Sequence, residues 1–276
     1  MRTNAAQQIT VTSVSTSKLI YGEAQTLAVK YSLQLKQSYN ELALSGDSAE
    51  SYIVEVRIKD GAGKFISCSK GYGAYTDEEG YACSDFLLLL SYNVKLYADQ
   101  TIYLPLASLN IAEGIQSLQP VLRIKDKWGR VVMADYAAPK TDIEIPLRVH
   151  LNLAVRNIEV AESGLKNQSW DYKMNNDEDK PEVCWALLLG NKRLSLSPFR
   201  SNSYTYTDTS GNSDFEFVIS KGDIFLINVL DYDLSSYSDK IGTMKVDMAD
   251  MQKFSGSSFT SKFGKVLKMD FVVTIL

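Results

Sequence analysis

Apolar and polar residues alternate at every second position along most of this chain. The pattern is plain in Ile9-Thr-Val-Thr-Ser-Val, Leu27-Ala-Val-Lys-Tyr-Ser-Leu, Tyr52-Ile-Val-Glu-Val-Arg-Ile, Val121-Leu-Arg-Ile-Lys-Asp, Val149-His-Leu-Asn-Leu-Ala-Val and Phe225-Leu-Ile-Asn-Val-Leu. Successive strand side chains point to opposite faces, so a period of two is the register of a sheet with one face on a core. Turn chemistry separates the runs: Asp60-Gly-Ala-Gly, Lys127-Trp-Gly-Arg, Gly211-Asn-Ser-Asp and Lys221-Gly-Asp. Sixteen tyrosines suit pleated surfaces. Helical periodicity is confined to one short stretch near Asp247–Phe254. The expected fold class is all-β.

At 276 residues the chain is long enough for two domains. A proline-bounded segment, Ala138-Pro-Lys-Thr-Asp-Ile-Glu-Ile-Pro146, sits between two strand-rich halves. The expected division is a β-sandwich-like domain over residues 1–145 and a second sandwich over 146–276, each within the usual domain size. Of 29 basic and 33 acidic side chains, 14 and 16 precede residue 148, so any functional asymmetry between the halves must be local.

Composition excludes several functions. A net charge of -4 disfavours a partner built of phosphates, so no nucleic acid is expected. One histidine, His150, lies in an alternating run and reads as a half-buried strand residue, which leaves no base for a Ser-His-Asp or Cys-His arrangement. Cys68, Cys83 and Cys184 are too few and too scattered for a zinc site or a disulfide framework, and fit free thiols in a reducing compartment. The N-terminus shows no apolar signal region, and the longest aliphatic run, Phe86-Leu-Leu-Leu-Leu, is far short of a membrane span. The expectation is a cytoplasmic, non-enzymatic protein without a transmembrane segment. Among the tryptophans, Trp185 alternates into a strand and reads as core, Trp128 lies in a hairpin turn, and Trp170, beside Asp171, is the only one of the three expected to have a membrane or ligand role.

Two acidic loops carry the chemistry of the second half. The first holds Asp171, Asp177, Glu178, Asp179 and Glu182 directly before an apolar strand. The second follows the strand Ile227-Asn-Val-Leu and holds Asp231, Asp233 and Asp239. Carboxylates this dense repel one another unless solvated or neutralised by a cation. With no His or Cys in either loop, a hard, oxygen-seeking ion such as calcium is the consistent occupant. Two readings stand side by side: a calcium site, or solvated carboxylates of ordinary turns. A glycosidase-like acid and base pair is also conceivable in principle, but no aromatic cleft flanks these loops.

The Asp-x-Asp-x5-Asp loop followed by Ile241-Gly242 resembles the third loop of C2 domains, the calcium- and phospholipid-binding β-sandwiches. The preceding pieces agree in order: the opening strand Leu151–Val160, the first loop with Trp170-Asp171 and Pro181-Glu182-Val183, the strand around Phe199–Thr209, and Ser213-Asp-Phe-Glu-Phe. The match covers about residues 148–275, and the first half lies outside it. The resemblance implies an eight-stranded sandwich binding calcium at one end. It implies Asp171 as a first-loop ligand, joined by Glu182, which stands where the family has aspartate, or by Asp179 three residues earlier. Asp231, Asp233 and Asp239 would be the third-loop ligands. It further implies an anionic membrane surface or a protein partner, with peripheral membrane contact through Trp170, Tyr232, Leu234 and Tyr237. The rival reading is a calcium-independent structural or protein-interaction module in a larger assembly. The double change Asp231→Asn with Asp233→Asn is expected to abolish calcium binding and to leave the ion-free fold unchanged or slightly more stable.

Overall fold

The computed structural model describes residues 9–44, 51–162, 180–190, 192–198, 203–208, 214–232 and 239–276. It is all-β. In chain order the elements are β1 (Ile9–Tyr21), β2 (Ala24–Leu35), α1 (Tyr39–Leu44), β3 (Ser51–Lys59), β4 (Cys83–Leu89), β5 (Leu96–Pro105), β6 (Gly114–Asp126), β7 (Val131–Ala137) and β8 (Thr141–Ile145). Then come β9 (Arg148–Val160), β10 (Val183–Leu189), β11 (Lys192–Leu196), β12 (Thr205–Thr207), β13 (Asp214–Ser220), β14 (Ile224–Asp231), β15 (Asp239–Asp247), α2 (Met248–Phe254), β16 (Ser258–Phe263) and β17 (Val266–Ile275). Among the described residues no helix is long and apolar enough to cross a membrane.

The chain forms two compact units. One comprises Met1–Tyr21, Gln25–Ser69 and Tyr75–Leu147; the other comprises Arg148–Leu276 together with Gly22–Ala24 and Lys70–Ala74. Both are built from antiparallel sheets.

In the first unit, β1-β2-β5 form one sheet and β4-β3-β6-β7 another, with β8 also on β6. The thirteen-residue β6 carries β7 and then β8, through Val121 opposite Ala137 and Leu118 opposite Thr141. Leu27, Val29, Leu33, Val54, Val56, Ile58, Leu104 and Leu122 are fully buried. The polar face of β3 departs from the simple alternating picture. Glu55 and Arg57, which the period of two assigns to solvent, are 6 % and 1 % exposed. The segment after β3 and strand β7 cover Arg57: the Phe65 ring lies 4.1 Å from its guanidinium, and Asp77, Glu79 and Asp135 accept its hydrogen bonds, while Lys125 pairs with Glu55. A buried arginine is tolerable only when paired in this way.

In the second unit, β11-β10-β14-β15 form one sheet. The other runs β12-β9-β17-β16, with β13 also on β9. Trp185, Leu187, Phe225, Ile227 and Val229 of the first sheet and Leu151, Leu153, Phe217, Phe271 and Val273 of the second are fully buried. The Phe217 and Phe225 rings meet across the two sheets at 5.2 Å. The helix expected near 247–254 is α2, opened by a capping box in which Asp247 and Asp250 each accept the other's backbone N–H. It seals one flank, where the Phe254 ring packs at a tilt against Phe259 and edge-on against Phe271.

Candidate functional site

Glu182, Asp231 and Asp239, the described members of the two acidic loops, lie at one end of the sheet carrying β10, β14 and β15. Strand pairing does this directly. Asp231, the last residue of β14, lies opposite Val183 at the start of β10 and opposite Asp239 at the start of β15. Glu182 immediately precedes Val183. Asp231 Oδ1 accepts the Glu182 backbone N–H at 2.7 Å, and the Glu182 carbonyl accepts the Tyr232 N–H at 3.0 Å. The Glu182 peptide is thus clamped from both sides by the chain leaving β14. Ser203 N–H adds a 3.0 Å bond to the Pro181 carbonyl.

Burial differs among the three. Asp231 is 1 % exposed, Glu182 is half-buried and Asp239 is exposed. Asp231 therefore acts within the fold as a hydrogen-bond acceptor for the neighbouring strand, and its charge is felt locally. The Cys184 thiol is pushed up to about 12, first by burial and then by the Asp231 carboxylate, with Arg193 opposing. None of the three cysteines is in a disulfide.

The Ile241-Gly242 dipeptide, picked out as part of the loop motif, has a packing explanation. The pairing of β14 with β15 shifts between Val229 and Leu230, so Ile241 is an extra residue, a bulge that bends the strand start. A Cβ on Gly242 would stand 2.8 Å from the Phe263 carbonyl oxygen and 2.9 Å from its ring. The Ile241 carbonyl accepts the Lys265 N–H at 3.1 Å. Only glycine lets β15 approach the β16–β17 turn this closely.

Of the six expected ligands, Glu182, Asp231 and Asp239 are brought together. Asp171, Asp179 and Asp233 lie outside the described residues, as do Trp170, Leu234 and Tyr237. Among the described residues no group of three or more His, Cys, Asp or Glu side chains is arranged to hold a metal ion.

His150 is half-buried on β9, its Nε2 3.9 Å from a Glu216 carboxylate oxygen. Beside it is a depression of about 450 Å³ lined by Lys70, Gly71, Asn152, Asp214, Phe215 and Glu216. Its charges neutralise one another: Lys70 pairs with Glu216 at 2.8 Å, and Arg156 with Asp214 at 2.8 Å. The Lys70 hydrogen bond holds the Glu216 carboxyl below the usual range. Sequence reasoning did not reach this cluster, because Lys70 comes from far upstream and only the register of Glu216 opposite Asn152 places the rest.

No family model matches the chain, and no curated protein matches it in sequence. Among solved structures it is similar to extended-synaptotagmin 2 in a form comprising an SMP domain and two C2 domains. That match has 8 % identity and a TM-score of 0.30, covering 98 % of this chain and 90 % of that one. It is also similar to the calcium-bound pair of C2 domains of extended-synaptotagmin 2, at 11 % identity and a TM-score of 0.31, covering 82 % of this chain and 97 % of that one. Likeness at this level transfers neither residues nor ligands.

Proposed function

We propose that the chain is a non-enzymatic binding protein whose residues 146–276 form a C2-like module, preceded by a separate β-domain over residues 1–145. The module takes calcium at the end of β10, β14 and β15, and through it an anionic membrane surface or a protein partner, at the cytoplasmic periphery of a membrane. The observation that carries this reading is the register that sets Asp231 between Val183 and Asp239, with Glu182 bonded to Asp231. The donor chemistry fits the ion: these groups are all carboxylates, and calcium takes six to eight oxygens in flexible geometry. Glu182, Asp231 and Asp239 would supply one side of the site, and Asp171, Asp179 and Asp233 the other. Calcium would neutralise the crowded loops and bridge them to phosphate or carboxylate groups of the target.

One observation favours the second reading, a calcium-independent interaction module. Asp231 is buried and already committed to the Glu182 N–H. The two readings separate in calorimetric titration of the whole chain with calcium, magnesium serving as control. The proposal expects a saturable calcium isotherm that magnesium does not reproduce, and calcium-dependent co-sedimentation with anionic vesicles. A flat calcium isotherm overturns it in favour of the second reading.

A further inference from the structure

The β6–β7 hairpin of the first unit ends in Lys127-Trp128-Gly129-Arg130, and nothing in the calcium reading uses it. Its backbone is tightly held. Asp126 N–H donates to the Arg130 carbonyl and Gly129 N–H to the Asp126 carbonyl, both at 2.9 Å. The Asp126 carboxylate, 4 % exposed as a residue, accepts the Trp128 and Arg130 backbone N–H groups and the Arg130 guanidinium. Gly129 supplies the positive φ of 80° that the turn requires. This rigid tip presents Trp128 outward at 60 % exposure. The indole is flanked by Lys127 Nζ at 4.8 Å and the Arg130 guanidinium at 4.9 Å from the ring centre.

Strand register puts more apolar surface at the same end of the sheet. Tyr52 lies opposite both Asp126 and Leu88, and Ser51 opposite Leu89. Leu89 is 67 % exposed, and the chain that follows carries Tyr92, Val94 and Leu96, all exposed. Val131, next to the tip, is exposed too. The described ionic groups at this end are Lys127 and Arg130 beside the indole, Asp126 buried against Arg130, and Glu41 paired with Lys95.

An amphipathic indole between two cations, with aliphatic side chains and a tyrosine beside it, has the chemistry of the headgroup layer of an anionic bilayer. The indole is exposed at a turn, so it suits insertion into a soft interface better than it suits receiving a ligand. We infer that the Trp128 hairpin is a calcium-independent docking point of the first unit on anionic lipid bilayers, separate from the acidic end of the second unit.

The test uses the full chain with vesicles of about 70 % phosphatidylcholine and about 30 % phosphatidylserine in excess EDTA. Wild type is expected to co-sediment and to be released at about 0.5 M salt. Lys127→Ala should weaken binding about fivefold, the effect of one basic residue near such a surface. Trp128→Ser should weaken it further. Dibrominated lipid should quench wild-type fluorescence more than that of Trp128→Phe, the difference reporting Trp128 alone, since Trp170 and the core-sealed Trp185 are common to both proteins. All three substitutions are at exposed positions, and unchanged melting curves would confirm intact folds. Absence of wild-type binding in EDTA, or binding and quenching indifferent to these substitutions, overturns the inference. Self-association in the ultracentrifuge that Trp128→Ser abolishes, without vesicle binding, also overturns it and assigns the tip to a second copy of the chain. Calcium-dependent binding that survives Trp128→Ser belongs to the second unit, so failure of the one proposal is distinguishable from failure of the other.

Discussion

Asp231→Asn separates the structural from the ion-binding role of the buried carboxylate. The substitution keeps an oxygen where Oδ1 accepts the Glu182 N–H at 2.7 Å and removes the charge. A hydrogen bond to a charged group contributes about 1.5–3 kcal/mol and a neutral one about 1 kcal/mol, so the ion-free protein should lose about 1 kcal/mol. For a unit of this size that lowers the melting temperature by about 3–5 °C. The sign is opposite to the sequence-based expectation, in which relief of carboxylate repulsion leaves stability unchanged or raised. The reason is that Asp231 is 1 % exposed and hydrogen-bonded, not a solvated turn residue. Calcium at about a hundred times its dissociation constant should add about 2.7 kcal/mol to wild type and little to the variant. The gap between the two proteins should therefore widen by on the order of 10 °C when EDTA is replaced by calcium. The assay is differential scanning calorimetry of both proteins in both buffers. A variant as stable as wild type in EDTA refutes the hydrogen-bond argument. A gap that is the same in both buffers refutes calcium binding through Asp231. Cys184 supplies an independent reading: loss of the Asp231 charge should lower its thiol pKa, with burial still holding it above a free thiol.

Four further outcomes follow from the structure. Burial opposes ionisation of Asp126, but Arg130 and the Trp128 and Arg130 backbone N–H groups outweigh it and hold the carboxyl below the usual range. Its contribution is thus present above the unfolded value of about 3.9 and lost as pH falls through the folded value; the stability difference between wild type and Asp126→Asn, measured by urea denaturation, should shrink below about pH 4. The Cys83 and Cys184 thiols, both raised to about 12 chiefly by burial, should be alkylated by iodoacetamide at pH 8 about a thousandfold more slowly than in the unfolded chain, as followed by mass spectrometry. Gly71→Ala should destabilise the second unit by about 2–4 kcal/mol in calorimetry, because φ is +85° and a Cβ would stand 2.5 Å from the Glu216 carbonyl oxygen and 2.6 Å from Phe217 Cβ. Gly256→Ala, with φ of +78° and open space around it, should cost only the backbone strain of about 1 kcal/mol.

Local pattern carried the fold class. Alternation in Val149–Val155 and Phe225–Leu230 marks strands because side-chain direction reverses at each residue, and these stretches are β9 and β14. The short helix near 247–254, Trp185 in the core and the Trp128 turn were readable for the same reason, since each depends on neighbours within a few positions. The two acidic loops were legible as chemistry, and the resemblance to C2 domains implied Glu182, Asp231 and Asp239 as ligands; strand pairing sets these three at one end of a sheet. Their unequal burial was not legible. Asp231 and Asp239 look alike in the sequence, yet one is sealed and the other exposed, because a residue 49 positions upstream, Glu182, lays its peptide against the first. Arg57 and Glu55 show the same limit. Alternation correctly separates them from the apolar face of β3, but Phe65, Asp77, Glu79 and Asp135 cover that second face from farther along the chain. Periodicity records which side of a strand is apolar, and only contacts between distant segments decide which side meets water.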